Sequence, residues 1–264
     1  MPKARLDVLL VERGLAESRS QAQRLVMAGE VRVDNQVLLK PATLVDPSAV
    51  LEVVGRPRYV SRGGDKLEAA LVAFGMDPSG RICADIGAST GGFTDCLLQH
   101  GAERVYAIDV GKGILDWKLR QDPRVVVMES TNARYLGKLP EPVSLVTIDA
   151  SFISLKTFFP VIRGWYGEQA GEAIALIKPQ FEAGRALVGR GKGVVRDPLV
   201  HRDVLLVVLE EARKEGFYLK GLMRSPLLGP KGNVEFLTWL GSGGEAYLEL
   251  VEAVYVAVGI ERED

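Results

Sequence analysis

The sequence predicts an α/β protein in which a small α+β module precedes a larger domain with a parallel sheet and helices on both faces. Over the first 54 residues, apolar residues recur first at helical and then at strand spacing. From residue 81 onward, short β-branched runs alternate with helical stretches, which is typical of parallel strands joined by crossover helices. We therefore expect a domain at 1–54, a linker at 55–60 and a second domain at 61–264.

The composition narrows the functional classes. With 264 residues and 47% hydrophobic content, the chain can bury a well-packed core. The net charge of −1 gives no overall attraction to nucleic acid, so RNA binding would depend on local basic clusters. Cys83 and Cys96 lack the spacing of a metal site, and we expect no metal. Because we find neither a signal sequence nor a long apolar span, we expect a cytoplasmic protein with no membrane partner.

The first module is predicted to contain two helices followed by short strands. The apolar face of the first helix ends at Gly14. The second helix begins at Ser18, which forms a capping-box pattern with Gln21, and it ends before Gly29. Turn residues at 34–36 separate two strand-like runs and predict a hairpin. The predicted strands are 31–33, 37–39 and 50–53.

Basic residues of this module lie off the apolar positions and could form a face that binds phosphates. They are Lys3, Arg5, Arg19, Arg24 and Arg32. Acidic residues lie close to them in the sequence, so an ordinary solvated surface is the alternative. The order of Arg5-Leu6-Asp7, Ser18-Arg19-Ser20-Gln21-Ala22 and Val31-Arg32-Val33-Asp34 resembles the S4 RNA-binding domain. The resemblance implies that this module binds RNA.

The second domain is predicted to begin with five parallel strands. These are 82–86, 105–109, 125–128, 143–148 and 173–177. A helix at 201–216, strands at 218–223 and 234–240, and a closing helix at 245–258 complete it. Ligands of such sheets bind at the carboxyl ends of the strands, so the residues that follow each strand are the candidates for a site.

A glycine-rich loop follows the first of these strands, from Asp85 to Phe93. Glycines at such a turn let a ligand approach the backbone closely. The spacing is Gly-x-x-x-Gly-Gly, which differs from the dinucleotide-binding pattern, and the chain has no Walker A motif. Asp109 ends the second strand about 20 residues later, where a carboxylate would accept hydrogen bonds from ribose hydroxyls.

Asp-x-Gly-x-x-x-Gly followed by an acidic strand end resembles the cofactor site of class I methyltransferases. The resemblance implies a Rossmann-like sheet and S-adenosylmethionine as the cofactor. It implies contacts to the cofactor from Asp85, Gly87, Ser89, Gly91, Gly92, Phe93, Asp109, Asn132 and Asp149. Asn132 matches the position that contacts adenine in that family, although its side chain could equally cap a helix.

The residues after the fourth strand, Asp149-Ala150-Ser151-Phe152, bear on the methyl acceptor. They lack the prolines of amino-methylating enzymes, and neither cysteine is placed as a nucleophile. A hydroxyl acceptor remains, and its proton must be removed by a base. A lysine can do this only in its neutral form. Burial and a second nearby cation favour the neutral form, whereas a nearby carboxylate favours the charged form.

Two lysines and two carboxylates could balance one another in this way: Lys66, Asp149, Lys178 and Glu235. Their order and contexts resemble the Lys-Asp-Lys-Glu tetrad of FtsJ-like ribose 2′-O-methyltransferases. With the S4-like module, the whole chain resembles the hemolysin A (TlyA) family of ribosomal RNA methyltransferases. This implies Lys178 as the principal base, with Asp149 and Glu235 as electrostatic partners and Lys66 as a second cation. It further implies a cytidine ribose as the acceptor and ribosomal RNA or a ribosomal subunit as the partner.

A basic, glycine-rich segment follows Lys178, and we interpret it as a loop that binds RNA phosphates. The candidate contacts there are Arg185, Arg190, Lys192 and Arg196, to which we add Arg62. A flexible solvated loop is the alternative.

Three other functions stay open. The hemolysin name suggests a membrane-active toxin, which the expected lack of a signal or a membrane span opposes. The others are a small-molecule O-methyltransferase and a non-catalytic RNA-binding or ribosome assembly factor with a vestigial cofactor site. The sequence does not define the oligomeric state.

Overall fold

The structure, a computed structural model, describes residues 3–53, 58–183, 193–243 and 249–262. The chain divides into two compact units, residues 1–58 and 59–264. Residues 55–57 of the expected linker lie outside the described residues. No helix in the described part of the chain is long and apolar enough to cross a membrane.

The described part of the first unit, residues 3–53, contains two helices and five short strands. These are β1 (Ala4–Arg5), α1 (Leu6–Glu12), α2 (Arg19–Met27), β2 (Val31–Val33), β3 (Gln36–Val37), β4 (Leu44–Val45) and β5 (Leu51–Val53). Strands β3, β2 and β5 form an antiparallel sheet in that order, and β1 pairs with β4. Asp34 and Asn35 both have positive φ, as a tight two-residue hairpin turn requires. Gln36 therefore joins β3, and the second strand of the hairpin begins one residue earlier than predicted.

The predicted start of α2 is confirmed, with one difference in its cap. The Ser18 hydroxyl accepts a hydrogen bond from the Gln21 backbone N–H at 3.3 Å. The Gln21 side chain reaches back to the N–H of Glu17 at 2.6 Å and not to that of Ser18. The two bonds satisfy N–H groups at the helix start.

A buried carboxylate, Asp7, connects the two helices of the first unit. It accepts two hydrogen bonds from Arg5 at 2.9 Å, one from Arg19 at 3.0 Å and one from Gln23 at 2.9 Å. These donors, Arg5 first among them, hold the pKa of Asp7 far below its usual range. The two arginine side chains are 40% and 57% exposed, whereas that of Asp7 is fully buried. Asp7 therefore fixes two cations at the surface.

The second unit is built on a seven-stranded sheet. Its strands are β6 (Ile82–Ile86), β7 (Arg104–Ile108), β8 (Val125–Met128), β9 (Leu145–Ile148), β10 (Glu172–Ile177), β11 (Tyr218–Arg224) and β12 (Phe236–Gly241). The order is β11-β12-β10-β9-β6-β7-β8. All neighbours are parallel except the pairs that β12 makes with β10 and β11.

Helices cover both faces of this sheet, which confirms the predicted fold class. They are α3 (Arg62–Phe74), α4 (Gly92–Gln99), α5 (Trp117–Arg120), α6 (Phe159–Trp165), α7 (Pro179–Glu182), α8 (Pro198–Lys214) and α9 (Leu250–Val258). Along β10, Ala173, Ala175 and Ile177 belong to one apolar core, whereas Ile174 and Leu176 belong to the other. Alternation of this kind places one core on each face of the sheet.

Three helices differ from the sequence expectations, among them α8, which was expected at 201–216 and spans Pro198–Lys214. Helix α3 was not predicted, although Leu67, Ala70 and Leu71 form its buried face and Gly75 ends it in a left-handed conformation. The closing helix was expected from residue 245, and α9 begins at Leu250, after residues 244–248 that lie outside the described part.

Replacing Asp7 should destabilise the first unit. Asp7→Asn removes the charge that three donors share, and we expect the free energy of unfolding of residues 1–58 to fall by about 1–3 kcal/mol. Folding lowers the pKa of Asp7, so its ionised carboxylate stabilises the folded state at pH values above its unfolded pKa, which is near 4. This stabilisation is lost progressively as the pH falls below about 4. Denaturant-dependent hydrogen exchange in the full chain, at pH 7 and pH 3, measures both effects. The exposed Glu12→Gln on α1 is the control and should change little; equal effects of the two substitutions would contradict the role given to Asp7.

Candidate active site

The site forms where β6 and β9 end side by side. Ile86 and Ile148 are paired in register, so Gly87 and Asp149 follow at the same edge of the sheet. Gly87 has a φ of +80°, and a Cβ there would lie 2.7 Å from the Asp149 backbone oxygen. Only glycine suits this position, because a side chain would collide with the neighbouring backbone.

The glycine-rich loop continues from Gly87 into helix α4. Gly91 has a φ of +99°, and a Cβ there would overlap the Leu119 side chain. Gly92 packs against Ser61 and Gly64, which belong to the start of α3. The loop glycines therefore serve close packing as well as exposing backbone.

A cavity of about 500 Å³ lies beside this loop. It is lined by Ile86, Gly87, Ser89, Ile108, Asp109, Val110, Thr131, Asn132, Ala133, Arg134, Asp149, Ala150, Ser151, Phe152, Ile153 and Phe158. The Asp109 carboxylate accepts hydrogen bonds from the Ser89 N–H at 2.8 Å and the Gly111 N–H at 2.7 Å, and both bonds fix its orientation. Asn132 lines the cavity and also caps the short helix 133–135, since its oxygen accepts the Arg134 N–H at 3.1 Å.

Two residues expected to contact a cofactor do not line this cavity or the one described next. Asp85 is fully buried, and its carboxylate accepts hydrogen bonds from the hydroxyls of Thr94 at 2.7 Å and Thr147 at 2.9 Å. Burial raises the pKa of Asp85 to about 6. Gly91 packs beneath the loop, as described above. The structure thus places Asp85 and Gly91 beneath the loop, away from the linings of both cavities.

A second cavity, of about 400 Å³, shares Gly87, Ser89, Asp149 and Ser151 with the first. Its lining is Ser61, Arg62, Gly63, Lys66, Gly87, Ala88, Ser89, Thr90, Gly92, Phe93, Asp149, Ser151, Lys178 and Glu235. All four residues of the Lys-Asp-Lys-Glu pattern are thus brought together. Of the predicted cofactor contacts, Gly92 and Phe93 line this second cavity and not the one beside Asp109.

The four charged residues form two ion pairs. Lys178 Nζ lies 2.6 Å from Asp149 Oδ1, and Lys66 Nζ donates to Glu235 Oε2 at 2.6 Å. Lys178 directly follows β10, Lys66 lies on α3, and Glu235 directly precedes β12. The Glu235 side chain is fully buried, whereas that of Asp149 is 24% exposed. The site therefore offers a charge-balanced pocket whose more accessible pair is Lys178 with Asp149.

Sequence reasoning did not identify two further polar residues beside these pairs. Ser151 Oγ accepts a hydrogen bond from Lys178 Nζ at 2.9 Å. Gln180 Nε2 lies 3.5 Å from Glu235 Oε1 and is the weaker contact. Both lie two residues from a tetrad member, Ser151 after Asp149 and Gln180 after Lys178, which was the available signal.

The basic residues expected to contact RNA occupy different settings. Lys3, Arg24, Arg32 and Arg196 are exposed, and Arg5 and Arg19 are held by Asp7. Arg62 is exposed and lines the second cavity. Arg185, Arg190 and Lys192 lie outside the described residues.

The buried Asp85 gives a pH-dependent prediction. Its folded pKa of about 6 exceeds the unfolded value near 3.8, so the native state favours the protonated carboxyl. Stability from this group is therefore present at low pH and is lost as the pH rises from about 4 to about 6, by about 3 kcal/mol in total. Asp85→Asn should remove this dependence. Denaturation of both proteins from pH 4 to 8 measures the difference, and parallel curves would contradict the assignment.

Comparisons with known proteins identify the family of both parts of the chain. The family model for FtsJ-like methyltransferases matches residues 59–242, and that for the S4 domain matches residues 4–51. "16S/23S rRNA (cytidine-2'-O)-methyltransferase TlyA" of Mycobacterium tuberculosis is 48% identical over 97% of both chains. "Hemolysin A" of Brachyspira hyodysenteriae is 42% identical over 88% of this chain and 98% of its own.

A solved structure from Streptococcus thermophilus that carries a hemolysin name is 44% identical. It covers 98% of this chain and 95% of its own, with a TM-score of 0.72. The family models and the near full-length relatives indicate the same family. The chain belongs to the hemolysin A (TlyA) family and combines an S4 domain with an FtsJ-like methyltransferase domain.

Proposed function

We propose that the protein transfers a methyl group from S-adenosylmethionine to the 2′-hydroxyl of a cytidine ribose in ribosomal RNA. The observation that carries the proposal is the meeting of Lys66, Asp149, Lys178 and Glu235 in one cavity. That cavity adjoins the one beside Asp109, so a donor and an acceptor could face each other across Asp149. The relative from Mycobacterium tuberculosis carries this activity in its name.

The residues of the Asp109 cavity fit S-adenosylmethionine. Its wall combines apolar side chains such as Ile108 and Phe158 with polar groups of Asp109 and Asn132, as an adenosine moiety requires. Each Asp109 oxygen accepts one backbone N–H and retains capacity for a ribose hydroxyl. The loop from Gly87 to Ser89 would hold the rest of the molecule. The cofactor, when bound, supplies an electrophilic methyl group on a positively charged sulfur.

Lys178 would accept the proton of the 2′-hydroxyl. A hydroxyl is a weak acid, and its oxygen becomes a better nucleophile as a base removes the proton. Asp149, at 2.6 Å, orients the amine and stabilises the ammonium that forms. Lys66 is neutralised by Glu235, so it can interact with the acceptor oxygen without leaving a net charge in the buried part of the site.

The first unit would bind the RNA. We propose residues 1–54 as the RNA-binding domain, 55–60 as the linker and 61–264 as the catalytic domain. Arg5 and Arg19 present guanidinium groups that Asp7 holds in place, and Lys3, Arg24 and Arg32 are exposed for phosphate contacts. Arg62, Arg185, Arg190, Lys192 and Arg196 would contribute from the catalytic domain. A ribosomal substrate would place the protein in the cytoplasm.

The cofactor assignment is tested at Asp109. Asp109→Ala removes the proposed ribose acceptor, and we expect S-adenosylmethionine affinity to fall by about 1–3 kcal/mol, or about 5-fold to 150-fold. Calorimetry with the full chain measures the change. Asp77→Ala, an exposed aspartate before the amino end of β6, is the control and should bind normally. Unchanged affinity at Asp109 in a folded protein would show that the ribose binds elsewhere.

The chemistry is tested at Lys178 with ribosomal subunits as substrate and 2′-O-methyl mapping as the readout. Lys178→Ala should lower the single-turnover rate by about 10²–10⁴-fold and leave cofactor affinity nearly unchanged. Lys178→Arg should be nearly as inactive, because a guanidinium cannot lose its proton near neutral pH.

Lys214→Ala, on the exposed face of α8, is the matched control and should retain full activity. If the native protein methylates no ribose on either subunit, the proposed function is wrong. If Lys178→Arg retains most of the activity, the function stands but Lys178 is a charge-stabilising group and not the base.

A further inference from the structure

Ser151 lies on the boundary between the two cavities. It lines both of them, and its hydroxyl accepts a hydrogen bond from Lys178 Nζ at 2.9 Å. Asp149 Oδ1, two residues earlier, lies 2.6 Å from the same nitrogen and forms an ion pair with it. The Lys178 amine is therefore bracketed by two oxygens from one short segment after β9.

The hydrogen bond to Ser151 has a specific consequence for an amine that must act as a base. A neutral lysine nitrogen has two N–H bonds and one lone pair, and it rotates readily about its bond to the side chain. When an acceptor fixes one N–H, this rotation stops and the lone pair is confined to the two remaining staggered positions. Only the lone pair can take a proton, so its direction determines how effective the base is.

Two other charged residues of the cavity, Lys66 and Glu235, do not compete for this role. Lys66 and Glu235 are paired with each other at 2.6 Å, and the Glu235 side chain is fully buried. The Lys178 side chain is 9% exposed and lines the cavity proposed to receive the ribose. With the Ser151 hydroxyl on one of the three free directions of the nitrogen, the acceptor hydroxyl would occupy one of the other two.

We propose that Ser151 is a positioning residue for methyl transfer, which directs the Lys178 lone pair toward the acceptor. This inference rests on the proposed function and on Lys178 as the base. It assigns to Ser151 an effect on the rate of transfer and no substantial part in binding cofactor or RNA. Ser151 is exposed, so its replacement leaves the apolar core intact.

The test compares three variants of the full chain under single-turnover conditions, with S-adenosylmethionine and a ribosomal subunit that the native protein methylates. Ser151→Ala should lower the rate about 10-fold to 100-fold, a smaller loss than removal of a base. Cofactor and subunit affinities should stay within about threefold of the native values. Ser151→Thr retains a hydroxyl at the same atom position and should recover most of the rate.

Thr157→Val is the matched control. The hydroxyl of this exposed residue donates to the Ser154 carbonyl and not to Lys178. It should keep the native rate. A native rate for Ser151→Ala would overturn the inference, and so would a loss that threonine does not restore. A loss that disappears at saturating RNA would also overturn it, because Ser151 would then be a binding residue. Failure of the native protein to methylate any subunit would instead contradict the proposed function.

Discussion

The site depends on the close approach of two backbone segments at the ends of β6 and β9. The Asp149 N–H donates to the Ile86 carbonyl at 2.9 Å, and Gly87 has no room for a Cβ against the Asp149 oxygen. This contact makes the glycine-rich loop and the Asp149 segment into a common wall of both cavities. Any larger residue at Gly87 would separate the strands where the two cavities meet. The position of Asp149 in the tetrad therefore depends on the absence of a side chain at Gly87 as well as on its ion pair with Lys178.

The pairing of charges across the sheet is better explained by function than by stability. Lys66 and Glu235 are separated by 169 residues in the sequence, yet their side chains meet at 2.6 Å with the carboxylate fully buried. Burial of two charges costs desolvation energy that their attraction offsets only in part, and apolar residues of similar volume often serve stability as well. The loss of either partner would leave an uncompensated charge. A pocket with two cations and two carboxylates can instead accept a proton on one lysine with little change in its surroundings.

Local patterns predicted the fold, because strand ends and glycine turns are determined by neighbouring residues, whereas the resemblance to FtsJ-like enzymes singled out the four charged residues that line one cavity. They did not predict the contacts that form between distant elements. Asp85 was expected to face a cofactor, but hydroxyls from α4 and β9 enclose its carboxylate. Helix α3 was overlooked because its first turn contains Gly63 and Gly64, which are weak helix formers. A Cβ at Gly64 would overlap the Tyr59 side chain, and a Cβ at Gly92 would lie 2.9 Å from the Gly64 backbone nitrogen, so both positions require glycine. Ser151 depends in the same way on β10, which brings Lys178 beside it.

Charge organisation also reconciles a net charge of −1 with RNA as the proposed substrate. A protein surface that binds nucleic acid needs cations at defined positions more than it needs a net positive charge. Asp7 reduces the net charge of the first unit, but its buried carboxylate holds the half-exposed guanidinium groups of Arg5 and Arg19 in one orientation. An arginine that is already ordered loses less side-chain entropy when it meets a phosphate than a freely rotating one does. The buried acid can therefore strengthen binding to a polyanion, although it lowers the attraction at long range. In the second unit Asp149 lies 2.6 Å from Lys178 Nζ, so in both units a carboxylate forms ion pairs that hold cations in place.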